Sequence, residues 1–174
     1  KEYAGNHAKL LDDLLVFLDT LRDSASAYCD IYAPGLAGAF RNISDPALRA
    51  EIILWSEKLA RQGVRAAYLP ILIALRLKAS QDGQAYLRIA QLLEKFTFRV
   101  FTIARSRRSS TGQPILFRLG HNYYKNGNVD WLWEEIAQTL VIYSPQTEFE
   151  KAFEKEKENW YEWGGINHFL YEYE

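Results

Sequence analysis

Arg105-Ser-Arg-Arg-Ser-Ser-Thr-Gly, with Arg99 just ahead of it, is the stretch whose residue types could do chemistry. Guanidinium forks beside hydroxyl and backbone donors are the groups that hold phosphate oxygens. Arg99, Arg105, Arg107 and Arg108 are therefore the candidate DNA-backbone contacts. Arginine clusters also serve ion-pair networks, and residues 129–174 hold eleven acids against three lysines. Over residues 85–128 the balance is reversed: eight basic side chains face Glu94 alone. Such segregation suits a polyanion-binding face, or two halves that pair with each other on folding.

The remaining reactive residue types do not assemble into a catalytic pattern. His7, His121 and His168 are dispersed, without the i+3 or i+4 companion that a zinc-binding helix needs. Asp12-Asp13 and Glu134-Glu135 are adjacent pairs, and neighbours on a helix point apart. No G-x-S-x-G elbow or phosphate-cradling glycine loop occurs. Cys29 falls in a helical apolar stripe, where a buried, inert thiol is expected. Within these residues the expectation is no catalytic residue, no metal site and no cofactor.

Composition narrows the class further. With 174 residues the chain can form one domain, 1–174, that buries about 70% of its unfolded surface. Its longest apolar run, residues 66–75, is too short for the roughly 20 residues that cross a bilayer, so no membrane partner is expected. One cysteine permits no internal disulfide, which fits a reducing cytoplasm.

Helical periodicity runs through nearly the whole chain, and it must position the basic stretch. Leu10, Leu14, Phe17, Leu18, Leu21, Ala25 and Tyr28 form a three-and-four stripe from Asn6 onward, ended by Pro34. Asp45-Pro46 opens a second helix that stops at Gly63. A short apolar helix spans 68–79. After Asp82-Gly83 a long helix runs from 84 to 104 and is the expected centre of the core. Residues 105–114 form a loop, followed by helices from Pro114 to Lys125, from Asn128 or Asp130 to Val141, and from a Ser144-Pro145 cap into the charged stretch 148–158. The fold class is all-α, a single orthogonal bundle of seven or eight helices.

The closing residues, Trp160-Tyr-Glu-Trp-Gly-Gly-Ile-Asn-His-Phe-Leu-Tyr-Glu-Tyr-Glu, are unusually aromatic for a chain end. Such surface needs cover. Together with Lys1 at the start and no methionine, it suggests an internal piece of a larger protein, with neighbouring domains as partners.

Four blocks resemble one family: Leu92-Leu-Glu-Lys-Phe-Thr-Phe-Arg-Val-Phe, the arginine loop, Leu116-Phe-Arg-Leu-Gly, and Trp163-Gly-Gly-Ile-Asn-His-Phe-Leu-Tyr-Glu-Tyr-Glu. The combination is similar to the GmrSD-like proteins, type IV restriction endonucleases that act on modified foreign DNA. There a ParB/sulfiredoxin-like domain precedes a helical region and an HNH nuclease domain follows. The resemblance, over residues 64–174, implies a non-catalytic helical connector. Asp82-Gly83-Gln84 copies only the start of the family's Asp-Gly-Gln-Gln-Arg motif, and the metal-binding His-Asn-His set is missing. The alternative is a helical protein-interaction domain with no nucleic-acid role.

Overall fold

The computed structural model describes residues 6–103, 112–156 and 166–173. Every regular element among them is helical: α1 (His7–Tyr32), α2 (Pro46–Arg61), α3 (Arg65–Lys78), α4 (Gly83–Thr97) with a π-helical continuation (Phe98–Ile103), α5 (Gln113–Asn126), α6 (Val129–Tyr143), α7 (Gln146–Glu156) and α8 (Ile166–Tyr173). The fold is an all-α bundle.

Local chemistry sets most of the boundaries. Asn6, Asp45, Asp82 and Asn128 each accept a bond from a first-turn amide, satisfying donors that a helix start leaves open. Gly127, with φ of 67°, closes α5 in the left-handed conformation that side chains resist. The expected Ser144 cap is not formed. Ser144 ends α6 with its hydroxyl buried and unpartnered among the described residues, and the Pro145 carbonyl starts α7 by accepting from Glu148 and Phe149.

The core is one cluster centred on α3 and α4. Helix α4 lies against α2, α3 and α6, and α3 packs on α1 and α5. The α3–α5 crossing is close: a Cβ on Gly120 would stand 3.1 Å from backbone atoms of Pro70 and Ile71. Glycine there lets two backbones approach where any side chain would wedge them apart. Between α1 and α2 the buried ring of Phe40 packs edge-on to Tyr86 at 5.1 Å, although Phe40 carries a φ of 53°. Burial holds a residue in the left-handed region at a typical cost of about 1–2 kcal/mol.

Two further sequence expectations change. The long helix does not stay α-helical to 104, because it widens to π geometry from Phe98. Nor is the α1 stripe core. Leu14, Phe17, Leu18, Leu21 and Tyr28 are 42–62% exposed, and Cys29 is exposed too. The last turns of α1 meet the body through Ala27, Asp30 and Ile31, off the stripe, and through Tyr32, whose carbonyl accepts from Arg65 at 3.3 Å. Periodicity identified the apolar face of α1, but it could not say which face the body takes.

Candidate functional site

The basic segment begins where α4 becomes a π-helix, a distortion that recurs at functional sites in proteins. Val100 and Ile103 are buried and anchor the turn. The chain returns at Gly112, also buried, where a Cβ would lie 3.9 Å from the ring of Phe96. Both ends of the segment 104–111 are thus fixed on the same part of the body. Arg105, Arg107 and Arg108 lie outside the described residues.

Arg99 is described, and it turns inward. Its Nη2 donates to the Ser144 carbonyl at 2.9 Å, and the guanidinium lies 4.5 Å above the Phe149 ring. Its Nε is buried without a partner among the described residues. The half-buried side chain clamps the α6–α7 junction onto the π-helical turn. Of the other basic residues in this region, Arg88 pairs with Asp130 at 2.5 Å and lies over Trp133. That contact joins the basic segment to the acidic one, at an exposed position where such pairs contribute about 0–1 kcal/mol.

Immediately before the π-helical turn, the structure gathers residues that sequence spacing could not connect. Glu94 is buried in α4, and its Oε1 accepts from Gln62 Nε2 at 2.7 Å and pairs with His168 Nε2 of α8 at 2.8 Å. The His168 ring lies 5.0 Å from that of Phe98. Gln62 and His168 are 106 residues apart, so no local motif announced the meeting. One signal was available: Glu94 is the lone acid among eight basic residues, and a lone acid on a buried helix needs a specific partner. Gln62 Oε1 and His168 Nδ1 remain buried and unpartnered among the described residues. The cluster's evident work is to fasten α8 onto α4. At His168 the tail folds against its own bundle; the tail aromatics expected to face a neighbour are other residues. Trp160, Trp163, Gly164 and Gly165, and the side chains of Phe169, Tyr171 and Tyr173, lie outside the description.

A second buried polar contact joins α1 to the body. Arg76 Nη2 meets Asp30 Oδ2 at 2.8 Å, Nη1 donates to the Ser80 carbonyl at 2.6 Å, and the guanidinium lies 5.1 Å from the Phe40 ring. The adjoining cavity, lined by Asp23, Ser26, Asn42 and Ser80, measures about 220 Å³. That is below the roughly 300–1,000 Å³ of small-molecule sites.

The titrating groups that respond to this core are tyrosines. Burial pushes the Tyr68 hydroxyl up to about 12, partly opposed by Arg65. Burial likewise raises Tyr86, against the pull of its Ser56 hydrogen bond, and it raises Tyr123 with a smaller push from Asp82. All three are neutral at ordinary pH and act as core residues. Among the described residues, no group of three or more His, Cys, Asp or Glu is placed to hold a metal, and no helix is long and apolar enough to cross a membrane.

Compared with known proteins, the sequence matches no family model, no curated protein and no solved structure.

Proposed function

We propose that this chain is the helical connector of a GmrSD-like restriction endonuclease, non-catalytic by itself, that helps seat the enzyme on modified foreign DNA. The sequence blocks at 92–101, 105–112, 116–120 and 163–174 suggest the family. The observation that carries the DNA role is the mounting of the arginine segment: its two ends, Ile103 and Gly112, are both buried in the rigid bundle. Basic segments held on a stable scaffold suit backbone recognition, because the scaffold orients them and the charge attracts the polyanion. In this reading Arg105, Arg107 and Arg108 meet phosphates, and Arg99 braces the turn from which they depart. The neighbouring domains supply nucleotide turnover and cleavage.

Fluorescence anisotropy with duplex DNA, titrated across salt, tests this role. Replacing Arg105, Arg107 and Arg108 with alanine should flatten the log–log salt slope by about one unit per lost contact. An unchanged slope rejects the DNA role. The family reading is tested by the encoded sequence on either side, where Asp-Gly-Gln-Gln-Arg is expected upstream and a His-Asn-His module downstream.

A second reading, a protein-interaction domain, is favoured by one specific feature: the exposed apolar surface of α1.

A further inference from the structure

The amino-terminal part of α1 is apolar and leaves the body. Leu11, Leu14, Leu15, Val16, Phe17, Leu18 and Leu21 are each 47–65% exposed. Val16 lies on the far side of the helix, and the other six present on the order of 700 Å² of surface, close to the roughly 800 Å² one partner contributes to a stable interface. Largest patches on ordinary monomers are about 300–600 Å².

The spacing is that of a coiled-coil seam. Leu11, Leu14, Leu18, Leu21, Ala25, Tyr28 and Tyr32 alternate at three and four residues without a break. This is the heptad pattern that lets helices interdigitate, with Leu11, Leu18, Ala25 and Tyr32 at a and Leu14, Leu21 and Tyr28 at d. Every member of the seam is exposed. The body takes the other side of the helix through Ala27 and the Asp30–Arg76 pair, and it covers the flank of the seam at Ile31. Bundle contact therefore leaves the seam open from Leu11 to Tyr28 and reaches it at Tyr32, where the Arg65 guanidinium lies 4.3 Å from the ring.

We infer that this seam is a self-association surface, and that its occupant is α1 of a second copy of the chain. The inference gives a partner to the protein-interaction reading and is independent of the DNA role. Three observations favour a copy over a charged partner. The seam is self-complementary along its length, as a two-fold interface requires. The positions flanking it, where partner choice is normally written in charge, are mostly uncharged: Leu10, Leu15, Phe17, Ser24 and Cys29. The single flanking charge, Arg22, is neutralised by Asp19 at 3.1 Å and Asp23 at 3.4 Å on its own helix. From Leu11 to Tyr28 nothing along the seam repels an identical helix, and nothing there selects an oppositely charged one. The extra apolar residues Leu15 and Phe17 widen the contact in the first half of the helix, where no part of the bundle competes for it.

Sedimentation velocity over a range of chain concentrations tests the inference. The expected species has twice the 20.2 kDa chain mass. Leu18→Glu should weaken dimerisation at least about tenfold, since it drives a carboxylate into the seam. Because Leu18 is 56% exposed in the single chain, far-UV circular dichroism should be unchanged. Val141→Glu, at a somewhat more exposed apolar position on α6, should leave the dimer intact. A wild-type chain that stays at single-chain mass throughout overturns the proposal. So does a Leu18→Glu dimer as tight as wild type, or loss of the dimer in Val141→Glu alone. DNA binding measured on the same samples reports separately on the arginine segment.

Discussion

Arg76 of α3 and Asp30 of α1 form an ion pair at 2.8 Å with side chains only 6% and 15% exposed, a buried polar tie between the protruding helix and the bundle. A charge pair this deep contributes little net stability when intact, because both partners have lost their water. Removing one partner is another matter, since the other is stranded. Asp30→Ala should therefore destabilise the fold by about 3 kcal/mol. The double change Arg76→Met, Asp30→Leu should cost much less. Urea unfolding of the three proteins checks this, and equal losses in single and double variants would refute it.

Gly120 supports a steric prediction. Alanine normally favours a helix over glycine by about 1 kcal/mol. Here the added methyl meets the backbone of Pro70 and Ile71 at 3.1 Å, and backbone cannot rotate out of the way. Gly120→Ala should thus be destabilising, by about 1–3 kcal/mol. A melting temperature at or above wild type would show that α3 and α5 can separate freely.

His168 fastens α8 through Glu94, so His168→Ala should release the last helix while the core persists. Amide hydrogen exchange over residues 166–173 is expected to rise, with little change in α3 and α4. Unaltered protection of that segment would mean that other residues hold it.

Arg99→Ala separates bracing from binding. Losing a charged hydrogen bond to the Ser144 carbonyl should cost about 1.5–3 kcal/mol of stability. The salt slope of DNA binding should stay as in the wild type. A flatter slope with unchanged stability would make Arg99 a phosphate contact instead.

Alkaline pH should unfold the protein through its buried tyrosines. Tyr68 titrates at about 12 in the fold against 10.0 when free, and burial moves Tyr86 and Tyr123 the same way. The folded state therefore keeps protons that the unfolded chain has released. This contribution is complete below pH 10 and is lost as pH rises through 12. Tyr68→Phe should make the decline shallower, as read by denaturant titration at several pH values.

Helices α1 to α7 and most of their ends were legible because caps and stops are local, whereas α8, in the aromatic closing stretch, was not read as a helix. Asn6, Asp45, Asp82 and Asn128 bond amides two or three residues away, and Gly127 needs only its own φ. The switch to π geometry at Phe98 was not legible: the segment 96–103 is apolar on most sides, and periodicity there does not distinguish two kinds of helix. Of the candidate site, the sequence showed the arginine stretch. It could not show that Arg99 bends back to Ser144, a contact 45 residues away.

By itself, then, the amino-acid order determined an all-helical chain, its punctuation and its charge blocks, since each depends on residues within a turn or two. Tertiary structure alone decided which apolar surfaces became core. Helix α1 carries an unbroken apolar stripe, yet most of that stripe stays exposed while α4 is enclosed by three helices. Burial depends on what arrives from elsewhere in the chain, and a helical period carries no record of that.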